Sequence, residues 1–386
     1  MTAHNLNQES LDLHRQHQGK LEVVPKVGVS SSHDLSIAYT PGVAAVSKLL
    51  SEEPDAAYDY SIKGNTVLVV TDGSAVLGLG NIGPLGGLPV MEGKCALFKA
   101  FAGVNAFPIC LDTQDTEEII ETIERIAPVF GGVNLEDIGA PRCFEIEERL
   151  KASLDIPVFH DDQHGTAIVV LAATLNALKV VGKNLADVKI VMSGAGAAGC
   201  AIAQLLFDAG ATDIVMANSR GIIHPKTNPP KTRPELFAMT NKEGLQGELA
   251  NAMNGADVFI GVSGPNLVTK DMVRSMDKPI VLAMANPDPE IMPQDALDAG
   301  AYVVGTGRSD FPNQVNNVLV FPGIFKGALR IRAKSITTKM KLACAYAIAN
   351  MVEEPVAAHI LPDAFDPAVA EAVAIAVEEM CSDEDK

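Results

Sequence analysis

Residues 187–219, DVKIVMSGAGAAGCAIAQLLFDAGATDIVMANS, constrain the fold more than any other stretch of the chain. An apolar run leads into a glycine-rich turn. An amphipathic helix follows, and a second apolar run arrives at the interval of a βαβ unit. Gly194, Gly196 and Gly199 hold the G-x-G-x-x-G spacing. Gly194 allows the tight turn, Gly196 lets the backbone approach a pyrophosphate, and Gly199 lets the helix pack close to the strand. The helix beginning near Ala197 offers unpaired N–H groups and a positive dipole end to phosphates. Gly194, Ala195, Gly196, Ala197, Ala198 and Gly199 therefore form a phosphate cradle for a dinucleotide. The second strand ends at Asn218, followed by Ser219 and Arg220, where an acidic residue usually meets the ribose 2′-hydroxyl. Asn218 can bond a ribose hydroxyl, and Asn, Ser and Arg together can receive a 2′-phosphate, so NAD and NADP both stay open.

The rest of the chain repeats the strand-then-helix alternation. TVLVV, NAFPICLDT, GGVNLED and IPVFHDD read as strands separated by helical runs, which predicts a parallel sheet. The segment after TVLVV, through LGLGNIGPLGG, reads as an extended glycine-rich loop, with a helix at EGKCALFKAFAG. HGTAIVVLAATLNALKVVG reads as one long apolar helix, ended by Gly182, that bridges two halves. Further strands follow at ADVFIGVSG, PIVLAMANPDP and AYVVGTGRS, and the C-terminal part is helical. A chain of 386 residues exceeds what one core usually serves. The expected fold is α/β with two domains: residues 1–160, an N-terminal substrate and metal domain, and residues 161–386, a Rossmann-like doubly wound domain with C-terminal helices.

The formal net charge of −18 argues against a nucleic-acid partner, whose phosphates need a basic face. No apolar run reads as long enough to span a bilayer, and the polar start lacks a signal-peptide pattern. The six cysteines are scattered without a C-x-x-C pair, which suits reduced thiols in the cytoplasm.

Two acidic pairs stand just ahead of the dinucleotide unit. GGVNLEDIG carries Glu136 and Asp137, and IPVFHDDQHGTA carries Asp161 and Asp162. Each pair follows an apolar strand and so falls at a strand's carboxyl end. Acidic groups crowded there repel one another and lose solvation, and a divalent cation relieves both problems. Glu136, Asp137 and Asp162 offer three oxygen ligands suited to Mg²⁺ or Mn²⁺. His160 and His164, which flank the second pair, are read as structural.

The chain resembles malic enzymes of the short bacterial type, from about Leu11 to about Ile360. The resemblance rests on SIAYTPGVA, LGLGNIGPLGGLPVMEGKCALF, GGVNLEDIG, FHDDQHGTA, GAGAAG, ANPDPEIMP and NQVNNVLVFPG. It implies oxidative decarboxylation of L-malate to pyruvate and CO₂ with a divalent metal and NAD(P), in a homodimer. It matches Glu136, Asp137 and Asp162 to the metal ligands and Asp161 to a neighbouring acid that supports the base. Lys94 matches the general base, and Tyr39 the acid that protonates the enolate. Asn286 and Asn317 match positions touching substrate or nicotinamide ribose. For Lys94 to act as a base it must be neutral, so a nearby cation is expected to depress its pKa.

There are departures from the family. Longer members carry an arginine for a substrate carboxylate where this chain has Ala75, and Lys99 is one candidate to replace it. The nearest rival is a metal-dependent oxaloacetate decarboxylase on the same scaffold, which needs no hydride transfer. A non-catalytic nucleotide sensor is a second rival, disfavoured because a sensor has no use for an acid, a base and a metal together.

Overall fold

The computed structural model describes residues 3–386, apart from Leu77, Lys231, Asp383, Glu384 and Lys386. Among the described residues, ten strands form two sheets. The first contains β1 (Thr66–Thr71), β2 (Asn105–Cys110), β3 (Gly132–Leu135) and β4 (Val158–His160), in the order β2-β1-β3-β4. All its pairings are parallel. β1 is buried at every residue, as its unbroken apolar run requires. β2 is an edge strand, which is where Pro108 is tolerated without losing a ladder bond.

The second sheet holds β5 (Lys189–Ser193), β6 (Asp213–Asn218), β7 (Gly221–Ile222), β8 (Val258–Gly261), β9 (Ile280–Ala283) and β10 (Val303–Thr306), in the order β10-β9-β8-β5-β6-β7. It is parallel except for the short β7. β5 pairs with β6 on one side and β8 on the other, so the strand order reverses beside it. The glycine turn after β5 thus lies at a topological switch point, where ligands bind in open α/β sheets.

The helix Asp161–Val181 joins the halves. By length and composition it could cross a bilayer, contrary to the expectation from sequence, but it is largely buried among other elements of the chain. It packs against the helices Ala197–Asp208 and Thr338–Asn350. Its apolar faces all meet protein, which is the mark of a core helix.

A second difference lies in the segment read as a glycine-rich loop. A helix runs from Gly83 to Ala102, with Pro84 in its first turn and Pro89 inside it. The loop is shorter than expected because burial outweighs local propensity: Gly87, Met91, Lys94, Cys95 and Phe98 face inward along this helix.

The C-terminal helices return to this same helix. Phe98 meets Phe321 edge-on at 4.8 Å between ring centroids and Phe325 at 5.5 Å. The helix Phe321–Arg330 lies close against Pro367–Glu379. A Cβ at Gly323 would stand 2.7 Å from the Ala370 carbonyl oxygen, and one at Gly327 2.5 Å from that of Ala374. Only glycine permits that approach. Phe98→Ala should cost about 3–5 kcal/mol, read as a lower denaturant midpoint, because the aromatic seam between the first sheet's helix and the C-terminal helices loses its centre.

Candidate active site

β3 and β4 pair in parallel, with Leu135 opposite His160. The next residue on each strand is acidic, so Glu136 and Asp161 leave the sheet side by side, at a strand spacing of about 4.8 Å. Asp137 follows with φ of 54°, a left-handed turn that directs the two neighbouring acids to one place. Asp161 and Asp162 form the first turn of the helix Asp161–Val181. One carboxylate oxygen from each of Glu136, Asp137 and Asp162 lies within 4.8 Å of the others. The Asp137 N–H donates to Asp162 at 2.8 Å, and the Asn134 amide donates to Glu136 at 2.9 Å.

Lys94 enters from the helix Gly83–Ala102. Its Nζ donates to Asp161 Oδ2 at 2.6 Å and lies 3.0 Å from Glu136 Oε1. It also sits over the Phe321 ring, 4.2 Å from the centroid. The Cβ of any residue at Gly165 would fall 1.9 Å from Asp161 Oδ1, so glycine one turn along the helix is what leaves Asp161 its place.

The electrostatics of this cluster are frustrated. Burial, and then the other three acids, push Glu136 well above the usual carboxylate range, although Lys94 opposes them. Burial also raises Asp161, again against Lys94. Burial alone would favour a neutral Lys94, but Asp161 and Glu136 outweigh it and hold the ammonium well above its ordinary range. The expectation of a neutral lysine is therefore not met by these protein groups alone. Four acids face one lysine, and three offer oxygens at a separation a hard cation can span with ligand distances of roughly 2.0–2.6 Å. The donor set fits Mg²⁺ or Mn²⁺.

A cavity of about 670 Å³ opens from this cluster to the second sheet. Asp137, His160 and Asp162 line it on the side of the first sheet, Ala197 and Asn286 on the side of the second, and Asn317 lies between them against Gly165. Ala75, where longer relatives carry a cation, lines it too. In the turn after β5, Gly194 has φ of 116° and a Cβ there would stand 2.5 Å from the Val262 carbonyl oxygen. Gly196 has open space around it, and Gly199 packs against the Gly194 carbonyl. Asn218 ends β6 beside a smaller cavity lined also by Ala195 and Gly196.

Two proposed residues fall elsewhere. Lys99 donates to Asn105 at an exposed place and does not line the cavity, so it does not replace the missing arginine. Tyr39 is 66% exposed at the end of the helix Ser32–Ala38 and does not line the cavity either. That helix and Val43–Glu52 contain no buried residue, so nothing among the described residues of this chain draws Tyr39 to Lys94.

One supporting group escaped the sequence reading. Glu147, buried on the helix Arg142–Ser153, accepts from the His160 N–H at 3.2 Å and from His164 Nε2 at 2.8 Å. Lys151 pairs with it at 2.6 Å, and Lys341 donates to His164 Nδ1 at 3.1 Å. These bonds fix the His164 tautomer and brace the turn that carries Asp161 and Asp162. Burial pushes His164 down to about 3, ahead of the pull of Glu147, so its ring is neutral at ordinary pH. Burial likewise lowers Lys341 to about 7. Glu147 is held well below its usual range although burial opposes it. Because His164 is neutral, we assign its charge partner as Lys151 rather than the imidazole. A Glu–His–Lys chain spanning 177 residues from His164 to Lys341 leaves no local spacing to read.

The comparisons with known proteins agree across the whole chain. The family model for the malic enzyme N-terminal domain matches residues 18–151, and that for the malic enzyme NAD binding domain matches residues 163–382. The bifunctional malic/malolactic enzyme of Bacillus subtilis (strain 168) is 57% identical over 378 residues, covering 97% of this chain and 92% of that protein. The NAD-dependent malic enzyme of Geobacillus stearothermophilus is 55% identical over 365 residues, covering 94% and 76%. Among solved structures, the NAD-dependent malic enzyme of Thermotoga maritima superposes with a TM-score of 0.92 at 50% identity, covering 95% of this chain and 98% of that one.

The buried charges around Glu147 set an acid limit on the fold. A carboxylate with a depressed folded pKa contributes stability that is complete above its ordinary value, 4.5, and is lost as the pH falls through the folded one. Glu147→Gln should flatten that acid limb in pH-dependent unfolding. Glu147→Ala should cost about 1–3 kcal/mol at neutral pH by leaving the buried His160 N–H and His164 without their acceptor and Lys151 without its partner.

Proposed function

The chain belongs to the malic enzyme family, and from that membership we infer that it oxidatively decarboxylates malate to pyruvate and CO₂ with NAD(P) as oxidant. The single observation that carries this reading is that Asp137 and Asp162, from the acid cluster that surrounds Lys94, and Ala197 and Ala198, from the dinucleotide turn, line one cavity between the two sheets. Cleavage of oxaloacetate without hydride transfer is the less favoured reading, because two of the relatives named above are NAD-dependent malic enzymes.

We assign Glu136, Asp137 and Asp162 as ligands of Mg²⁺ or Mn²⁺. When bound, the cation supplies Lewis acidity to the C2 oxygen of the substrate and the nicotinamide supplies the hydride acceptor. Lys94 removes the C2 hydroxyl proton. To do so it must first give up its own, and Asp161 is the group placed to take it, at 2.6 Å and with a carboxyl raised by burial. A cation that neutralises Glu136 weakens one of the two holds on the Lys94 ammonium. Asn286, from the side of the second sheet, and Asn317, from the cavity floor beside the acids, orient the substrate and the nicotinamide ribose. Tyr39 protonates C3 of the enolate.

Tyr39 can play that part in a homodimer, the assembly we propose. The N-terminal segment that carries Tyr39 also presents Val23 at 83%, Val24 at 66% and Ile37 at 62% exposure. Apolar residues gathered on one segment call for a covering surface, and a second copy supplies it while bringing its Lys94 to Tyr39. We keep the division into domains near residue 160, ahead of the long connecting helix. Six free cysteines accord with a cytoplasmic location.

The test is a comparison of reduced-nicotinamide formation from malate with CO₂ release from oxaloacetate, each with Mn²⁺. Malate oxidation should dominate and should vanish on chelation and return with Mn²⁺. Lys94→Ala should lower kcat by roughly 10²–10⁴ with nucleotide affinity unchanged. Persistence of turnover in that variant would refute the assigned base. Inactive Tyr39→Phe and Lys94→Ala chains, unfolded and refolded together, should regain about a quarter of native activity if each site draws on two copies. No recovery would place Tyr39 and Lys94 of one chain in one site.

A further inference from the structure

The smaller cavity beside the dinucleotide turn bears on which nicotinamide the chain takes. It has a volume of about 270 Å³ and is lined by Gly196, Asn218, Ser219, Arg220 and Thr232, among others. Among the described residues, no carboxylate lines it. It therefore lacks the acidic acceptor that ordinarily receives the proton of a ribose 2′-hydroxyl.

Asn218 does not replace that acceptor. Its Oδ1 receives the Arg220 backbone N–H at 2.8 Å and the Asn228 amide at 2.9 Å. An amide oxygen has two lone pairs, and both are engaged. The backbone N–H of Arg220 can only donate, so it also fixes which end of the Asn218 amide is oxygen. Asn228 is buried and donates further to the carbonyls of Gly221 and Ile222, at 3.0 and 3.2 Å. The strand end and the hairpin after it are tied together, and Asn218 is held in this role by its surroundings.

What remains around the cavity is a set of donors. Arg220 is exposed, and among the described residues its guanidinium makes one long contact, 3.4 Å, to the Pro229 carbonyl oxygen. Four of its five N–H groups remain for a ligand. Ser219 adds a hydroxyl on the same exposed turn. A guanidinium fork with a hydroxyl matches a phosphate dianion better than it matches a neutral sugar hydroxyl.

We propose that this cavity receives the 2′-phosphate of NADP and that Arg220, with Ser219, is the residue that selects it over NAD. The proposal rests on the dinucleotide reading of the Gly194–Gly199 turn. NAD still binds through the pyrophosphate cradle, but its 2′-hydroxyl finds no carboxylate acceptor among the described residues and binds more weakly.

The test is calorimetric titration of the full-length chain with 2′,5′-ADP and with 5′-AMP, neither of which can turn over. The expected result is at least roughly tenfold tighter binding of 2′,5′-ADP, the value of a charge-assisted pair. Arg220→Gln should erase that difference while leaving 5′-AMP affinity as it was. Asn218→Asp, which places a carboxylate at the strand end, should reverse the preference. Equal affinities in the native chain, or an Arg220→Gln variant that weakens both nucleotides alike, would overturn the 2′-phosphate assignment and leave the cradle standing. Failure of both nucleotides to bind would overturn the cradle and this assignment together.

Discussion

Everything at the centre of this molecule depends on the pairing of β3 with β4. A parallel register that sets Leu135 against His160 sends two acidic pairs out of the same sheet edge at the distance of one strand spacing. A slip of one residue would turn the acids toward opposite faces. The repulsion this pairing creates is the energetic problem the rest of the site answers. Lys94 answers part of it from the neighbouring helix, and three carboxylate oxygens within 4.8 Å leave room for a cation to answer the remainder. Bracing by Glu147 from behind keeps the acids from relaxing apart.

Much of this was legible because the signals are local. The acid pairs and the GAGAAG turn each sit at the end of a short, largely apolar strand. In parallel sheets all strand ends of one sense share an edge, so the βα alternation already sends both acid pairs to one edge of the first sheet. The individual glycines were legible for the same reason: at Gly194 the backbone conformation itself excludes a side chain.

What escaped the reading is non-local. The helix from Gly83 looked like a loop because its glycines and prolines are poor helix formers, and only its burial against β1 and the C-terminal helices overrides that. The charge on Lys94 depends on which of four acids it faces, a fact of three dimensions. Hydropathy alone cannot tell the core helix Asp161–Val181 from a membrane span, since both are apolar all round. Tyr39 is the sharpest case. The motif around it names the residue, while the fold of a single chain leaves it in solvent.

The path of the backbone between the halves has a mechanical meaning. The chain crosses outward along the helix whose first turn bears Asp161 and Asp162, and crosses back through the short turn Asn317–Leu319 into the helix that meets Phe98. These two passages touch each other. Two tethers side by side define a hinge line, and this one runs along the floor of the cleft. A swing of one lobe about that line would widen or narrow the mouth, while the first turn of the helix, with Asp161 and Asp162, and Asn317 beside it would barely travel.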